Sequence, residues 1–589
     1  MHVKKDGFNE HDPDRTGLIH LEAFKSIYKT FVHRPELLHL FNRLSKDQRA
    51  LSSEKLLDFL QNDLCEPDTD EDAVRQLIGK HELMLEARRD NYMTLEGFVR
   101  FMNSEDNYIL RRKHRQVYQD MNQPLTNYYI STSHNTYLLS DQLVGQSHPF
   151  AYSSALMRGC RCLEIDCWDG EEDEPVVFHG FTLTSKLLFK TVISVINQYA
   201  FQASPYPLIL SLENHCSPKQ QDVMARHLLS ILGDKLLTMT VANSFSRFLP
   251  SPEALKGKIL IKHKKIGLLQ DTILRPVPSA HGQIGELVEH DDRSQKEQLR
   301  KIGVSIKFLR RSAESKTKQV QNTAIAMMLS DLVIYTKSKK FISFKHSKEN
   351  QKVYENNSLP EKKAQNLAQN SAQEFIQHTR RFITRIYPKG SRTDSSNFYP
   401  QEFWNVGCQM TALNFQTPGI PMDLQDGKFL DNGRCGYVLK PEFLRNEDCS
   451  FVPHGRKHRT RQMFFTIKVI SGFLLPHGSI SKTNKTSLIV KVEIYGVPVD
   501  EGRKQTQVVK NNAFNPQWNQ SLTFSIQVPE LALVRFSLED HLLMVSNEFL
   551  GQYTLPLISM SKGYRHIPLL NKHGQSMAPA SLFVHIWYQ

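Results

Sequence analysis

The pattern of apolar and polar positions changes several times along the 589-residue chain. Up to about residue 122, apolar residues recur at helical spacing, as in "LEAFKSIYKTF" and "LEGFVRFM", which predicts a helical region. From about 126 the pattern becomes short apolar runs: "YYIST", "CLEIDCW", "PVVFHG", "PLILSLE" and "GKILIKHK", with amphipathic stretches between them. Strand-like runs alternating with helical ones predict a parallel α/β unit. That texture stops near 270, resumes at "LSDLVIYTK" and runs to about 445. Beyond 463, "FFTIKVISG", "SLIVKVEIYG", "QSLTFSIQV" and "LVRFSLED" recur with turn residues between them, which predicts an antiparallel β-sandwich.

Within "RCLEIDCWDG" the alternation is strict, with Leu163, Ile165 and Cys167 on one face and Glu164 and Asp166 on the other. Two carboxylates on a half-buried strand need a positive partner. Other strand ends offer cations: Lys262 and Lys264 share a face in "ILIKHKK", and Arg385 and Tyr387 do so in "TRIYP". An α/β barrel gathers its strand ends at one rim. Carboxylates for a metal beside cations for phosphates suit phosphate-ester chemistry. His134 and Asn135 in "STSHN", His179 in "FHG" and Glu213 in "LILSLEN" complete the candidates. Taken singly, each has a plainer reading: a hydrogen-bonded structural histidine, a helix cap, a solvated lysine.

Composition narrows the partners. Lys and Arg number 74 against 61 Asp and Glu, a formal net charge of +13, so an anionic partner is expected. The eight cysteines form no CxxC pair, which argues for free thiols and against a zinc site. No apolar run reaches transmembrane length, and "MHVKKDGFNEHDPD" lacks a signal-peptide core. The basic surplus concentrates in the insert, where residues 293–318 hold nine Lys or Arg and two Glu.

"ISTSHNTYL", "GCRCLEIDCWDG", "ASPYPLILSLENHCS", "LPSPEALKGKIL", "RTDSSNFYPQEFWN", "ALNFQTPG", "GYVLKP" and "FNPQWN" resemble eukaryotic phosphoinositide-specific phospholipase C over essentially the whole chain. With no pleckstrin-homology segment expected, and with "GQYTLPL" and "LFVHIWY" near the end, the likeness is greatest to a sperm-borne branch of that family. The resemblance implies a multidomain α+β protein: a helical EF-hand region over 1–122, a TIM-like (β/α)8 barrel with X half 126–270 and Y half 322–445, a basic linker 271–321, a basic connector 446–462 and a C2 sandwich over 463–589. It further implies Ca²⁺ held by Asn135, Glu164, Asp166 and Glu213, all oxygen donors. The implied reaction cleaves phosphatidylinositol 4,5-bisphosphate to diacylglycerol and inositol 1,4,5-trisphosphate through a cyclic phosphodiester, which would trigger Ca²⁺ release and egg activation. His134 would stabilise the transition state, His179 would be general acid, and Glu164, with Glu213 as rival, general base. Lys262, Lys264, Ser358, Arg385 and Tyr387 would bind the headgroup.

Departures from the family pattern set further expectations. Leu143, Phe181 and Leu183 keep the apolar membrane rim, but Ser391 and Gln365 stand where relatives have Trp and Leu, so the basic linker is expected to supply membrane attraction. Asp12, Asp14 and Thr16 begin an EF-hand loop whose twelfth position is Ala23, so only weak Ca²⁺ binding is expected there. Ser487 and Leu542 replace two aspartates of a Ca²⁺-binding C2 domain, which predicts a docking module instead. A monomer acting peripherally on anionic phosphoinositide membranes from the cytoplasm is expected, without nucleic-acid partners. The basic segments are candidates for nuclear or perinuclear targeting. An inactive phosphoinositide-binding scaffold is one alternative and a metal-dependent nuclease another. The intact barrel positions argue against the first, and the lack of interleaved aromatics argues against the second.

Overall fold

The computed structural model describes residues 20–21, 24, 33–46, 49–241, 247–269, 284–287, 323–455, 462–478, 486–542 and 546–589. They fall in two units, Gln116–Arg456 and Met1–Arg115 with Lys457–Gln589. The EF-hand candidates Asp12, Asp14 and Thr16, and the basic segment 293–318, lie outside the described residues.

In the unit Gln116–Arg456, eight parallel strands close on themselves among the described residues. They are β1 (Thr132–Ser133), β2 (Cys162–Trp168), β3 (Leu208–Asn214), β4 (Ile259–Lys262), β5 (Lys337–Ser338), β6 (Glu355–Pro360), β7 (Thr384–Tyr387) and β8 (Met410–Leu413). A parallel bridge from His263 to Lys337 joins β4 to β5, and Ala412 pairing with Thr132 closes β8 onto β1.

The alternation seen in "CLEIDCW" decides which side chains fill this barrel. Leu163, Ile165 and Cys167 point outward and are buried with Tyr152, Leu156, Val192, Ile196, Met224 and Leu228 of the surrounding helices. Burying Leu163 and Ile165 contributes about 1.5–3 kcal/mol each. A one-residue slip would put both carboxylates into that apolar layer, so the register is strongly specified. Along the inward face, Cys162, Ile209, Leu260, Ile383 and Met410 form an apolar plug. Two residues further on, the same strands present Glu164, Ser211, Lys262 and Arg385, all buried. The barrel therefore changes from apolar to ionic along its own axis.

Two expected strands take other roles. "YYIST" divides: Tyr128–Ile130 pairs antiparallel with Tyr437–Leu439 in a separate two-stranded sheet, and only Thr132–Ser133 enters the barrel. In "PVVFHG", Val176–Val177 pairs antiparallel with the end of β2, carrying His179 on a loop beyond the barrel strands.

In the other unit, the helices Pro35–Leu44, Ser53–Asp58, Glu71–His81 and Leu95–Met102 pack around Leu37, Phe41, Phe59 and Phe98. Ser52, Asp70 and Thr94 cap the last three by accepting from backbone N–H groups. Glu82, fully buried, accepts hydrogen bonds from Met84 N and from Thr94 N and Oγ1, tying together the segments around "RRDNYMTLEGF". Among the described residues, the C-terminal region is one nine-stranded antiparallel sheet, its seam between Glu548–Pro556 and Gly563–Leu570 held by the single pair Gln552–Leu570. The strands of the expected sandwich thus follow one continuous hydrogen-bonded order. Ile470 and Phe583 of this sheet join the helical core. Where Ser487–Tyr495 meets Leu533–Asp540, Ser487 N donates to Asp540 Oδ1 at 2.7 Å. All eight cysteines are free thiols.

Candidate active site

The ionic end of the barrel is built from neighbouring strand positions. Asp166 on β2 pairs in register with Glu213 on β3, Glu164 with Ser211, and Ser211 with Lys262 on β4. Across the barrel, Ser358 on β6 pairs with Arg385 on β7. Oxygens of Glu164, Asp166 and Glu213 lie within 4.8 Å of one another. Among the described residues this is the one group of three His, Cys, Asp or Glu side chains so arranged.

Each carboxylate is held differently. Glu164 Oε2 accepts from the backbone N of Asn135 at 2.8 Å, and Arg385 Nη2 lies 2.7 Å from the same oxygen. Asp166 Oδ2 accepts from Tyr137 Oη at 2.6 Å, while its Oδ1 is buried and accepts no hydrogen bond. Glu213, with 47% of its side chain exposed, lies 3.1 Å from His215 Nε2. Burial, then Glu213 and Glu164, push the Asp166 carboxyl well above the ordinary range. At Glu213 desolvation is outweighed by the His215 hydrogen bond and by the charges of His179 and Arg385, so its pKa falls.

Three converging carboxylates, one with an orphaned buried oxygen, are costly unless a cation sits among them. Asn135 adds a neutral oxygen: its backbone is left-handed, with φ 38°, a conformation Asn tolerates. That turn points its N–H at Glu164, and its amide Nδ2 donates to Gln142 Oε1 at 2.7 Å. An all-oxygen donor set with three carboxylates fits a hard divalent cation such as Ca²⁺.

Both histidines face this cluster through one nitrogen. His179 Nδ1 lies 2.7 Å from the carbonyl of Gln142, which can only accept, so Nδ1 carries a proton and Nε2 remains for chemistry. Its loop needs Gly180, because a Cβ there would lie 1.8 Å from the Trp168 ring. His134 Nδ1 bonds Asn414 Oδ1 at 2.9 Å, and its Nε2 is 3.9 Å from Glu164 Oε2. Burial lowers the His134 pKa, partly offset by Glu164.

Cations line the facing wall. Lys262 is buried, its Nζ donating to Ser211 Oγ at 3.3 Å and Ser338 Oγ at 3.4 Å. Burial and the Arg385 charge lower its pKa to about 8. The Arg385 guanidinium lies 5.8 Å from the Tyr387 ring centre. Lys264 and Ser358 are half-buried beside these strands. On the rim, Phe181 and Leu183 are 69% and 76% exposed, and Leu143, half-buried, accepts a backbone hydrogen bond from Leu183. Ser391 and Gln365 are exposed, and Gln365 bonds Glu402. Sequence reasoning missed Gln142, Tyr137 and Asn414, polar residues whose only signal was proximity to "SHN" or to "ALNF".

A closed α/β barrel whose C-terminal rim joins three carboxylates, two imidazoles and buried cations has the parts of a phosphodiester-cleaving enzyme. Residues 121–265 match the X domain, and 329–443 the Y domain, of phosphatidylinositol-specific phospholipase C. Residues 27–112 match the EF-hand-like region of phosphoinositide-specific phospholipase C, and 464–569 a C2 domain. The 1-phosphatidylinositol 4,5-bisphosphate phosphodiesterase zeta-1 of Bos taurus is 51% identical over the whole of this chain and 94% of its own length. The zeta-1 protein of Homo sapiens is 50% identical with the same coverage. The solved structure of S. officinalis PLC21 superposes with a TM-score of 0.77 at 33% identity, over 97% of this chain and 70% of that one. The chain belongs to the phosphoinositide-specific phospholipase C family, and its likeness to the zeta-1 members runs over its whole length.

Proposed function

We propose that this enzyme hydrolyses phosphatidylinositol 4,5-bisphosphate to diacylglycerol and inositol 1,4,5-trisphosphate in a Ca²⁺-dependent reaction at membrane surfaces. The observation that carries this reading is the Glu164–Asp166–Glu213 cluster facing His134, His179 and buried Lys262 and Arg385 in one barrel mouth. Asn135, Glu164, Asp166 and Glu213 would hold the Ca²⁺, which when bound lowers the pKa of the inositol 2-hydroxyl and offsets phosphoryl charge.

Lys262, Lys264, Ser358 and Arg385 receive the ring phosphates through charge-assisted hydrogen bonds, with Tyr387 against the ring. Glu164, whose Oε1 is left over by the Asn135 and Arg385 contacts on Oε2, takes the 2-hydroxyl proton as general base; Glu213 is the rival for that role. The 2-oxygen attacks the 1-phosphate, and His179 Nε2 donates a proton to the departing diacylglycerol oxygen. Water then opens the cyclic phosphodiester, the same nitrogen taking the water proton as base while Glu164 returns its proton to the departing 2-oxygen. His134, its Nδ1 proton held by Asn414, enters the reaction as the imidazolium beside the substrate phosphate and stabilises the growing phosphoryl charge by a hydrogen bond from Nε2.

Phe181, Leu183 and Leu143 contact the lipid surface, and the basic 293–318 segment adds electrostatic attraction to anionic leaflets. The protein works as a cytoplasmic, peripheral monomer with a nuclear or perinuclear pool. Its likeness to zeta-1 proteins supports a role in egg activation through inositol trisphosphate. The deciding experiment is inositol-phosphate release from mixed vesicles, titrating Ca²⁺ with and without residues 293–318. Hydrolysis that persists after thorough chelation would overturn the metal-dependent reading.

A further inference from the structure

The side chain of Gln142 is buried at the centre of a hydrogen-bond relay whose polarity is set at one end. The backbone carbonyl of Ser140 can only accept, and Ser395 Oγ donates to it at 2.7 Å. With its proton committed, Ser395 Oγ must accept, and Gln142 Nε2 donates to it at 2.7 Å. Gln142 Nε2 also lies 3.4 Å from Asn414 Oδ1, the atom that holds His134 Nδ1. The Gln142 amide is thereby turned so that its Oε1 faces Asn135, from whose Nδ2 it accepts at 2.7 Å. Asn135 is left with its own Oδ1 as the end without a hydrogen-bond partner, while its backbone N–H sits on Glu164.

An asparagine amide has two ends of nearly equal size and opposite polarity. Only the oxygen end can ligate a cation; the NH₂ end would repel it. We propose that Gln142 is a positioning residue for the Ca²⁺ site, its relay from Ser140 and Ser395 selecting the amide orientation in which Asn135 offers oxygen. The inference rests on the reading of the carboxylate cluster as a cation site. The Gln142 backbone also fixes the acid: its carbonyl holds His179 Nδ1, and its N–H donates to Thr393 O at 2.9 Å. One residue therefore joins the ligand, the acid and the loop bearing Ser395. The two kinds of contact separate experimentally, because substitution removes only those of the side chain.

The test is a Ca²⁺ titration of the full-length protein by calorimetry, with Asp166→Asn identifying the barrel component and thermal unfolding checking the fold. Gln142→Ala is expected to weaken that component about 10–100-fold, the usual effect of losing a partner that orients a ligand. Ser395→Ala should weaken it in the same direction. The double variant should be no worse than Gln142→Ala alone, because both act through one amide. At saturating Ca²⁺, turnover of Gln142→Ala should recover to within a few-fold of wild type. Unchanged Ca²⁺ affinity in Gln142→Ala, additive losses in the double variant, or lost turnover that excess Ca²⁺ does not restore would each overturn the proposal. If Asp166→Asn leaves the titration unaltered, the cation-site reading fails first and the relay's role falls with it.

Discussion

Arg385 Nη2 lies 2.7 Å from Glu164 Oε2, and neither side chain is more than 6% exposed. The guanidinium thus shares a carboxylate with the proposed cation and, in the proposed function, also binds the headgroup phosphates. Removing one partner of a buried pair costs about 3–5 kcal/mol, because the remaining charge is stranded. Arg385→Ala should therefore lower the unfolding temperature. The drop should be larger in chelator than in millimolar Ca²⁺, since a bound cation can itself compensate Glu164. Equal drops in both conditions, measured by thermal unfolding, would show that the two positive charges do not share that oxygen.

His179→Ala removes the nitrogen oriented by the Gln142 carbonyl but leaves the exposed rim untouched. Turnover should fall about 10²-fold or more with binding to phosphoinositide vesicles unchanged. Parallel hydrolysis and sedimentation assays separate the two quantities, and wild-type turnover would remove His179 from the acid's role.

Lys262 titrates at about 8, lowered by burial and by Arg385. Raising pH through that value removes positive charge from the proposed phosphate subsite, so KM for the bisphosphorylated lipid should rise above pH 8 more steeply than KM for unphosphorylated phosphatidylinositol. Lys262→Met should raise KM at neutral pH and abolish the difference between the two pH profiles. Identical profiles for both lipids in the wild type would count against Lys262 as a phosphate ligand.

The basic segment can be tested by charge removal. Substituting Lys307, Arg310 and Arg311 together by Ala deletes three positive charges, each worth about 1 kcal/mol near an anionic leaflet. Binding to anionic vesicles should weaken by up to about 10²-fold at physiological salt, with hydrolysis of detergent-solubilised lipid unaffected. Equal vesicle binding would assign membrane attraction to the rim and C2 region alone.

His378 is packed against Phe341, Phe344 and Phe382, and its Nε2 is buried without a hydrogen bond. Burial lowers its pKa to about 3. Between the ordinary histidine value of about 6.5 and that value, the unfolded chain takes up a proton that the fold refuses, so stability falls by about 1.4 kcal/mol per pH unit on acidification. His378→Phe should flatten that slope between pH 6 and 4, with little change at pH 8. Denaturant melts across this range give the comparison, and an unaltered slope would mean that His378 is protonated in the folded protein.

The alternation of side chains is local information. "CLEIDCW" assigns Leu163 and Ile165 to the helix-facing layer and Glu164 and Asp166 to the interior, because a strand's side chains alternate whatever surrounds them. The long family motifs carried the domain order and the kind of chemistry, since whole stretches such as "RCLEIDCWDG" are local strings. Which residues meet across strands and loops is set by tertiary packing. It brings Arg385 to Glu164, puts His179 on a hairpin loop under the Gln142 carbonyl, divides "YYIST" between a side sheet and the barrel, and folds the C-terminal strands into one continuous sheet. Barrel closure and loop contacts depend on packing between segments far apart in the chain, and no periodicity within a segment encodes its partner. Gln142 is the sharpest case: in the string it is one polar residue in a turn, and only its neighbours' hydrogen-bond polarity gives its two amide ends different work.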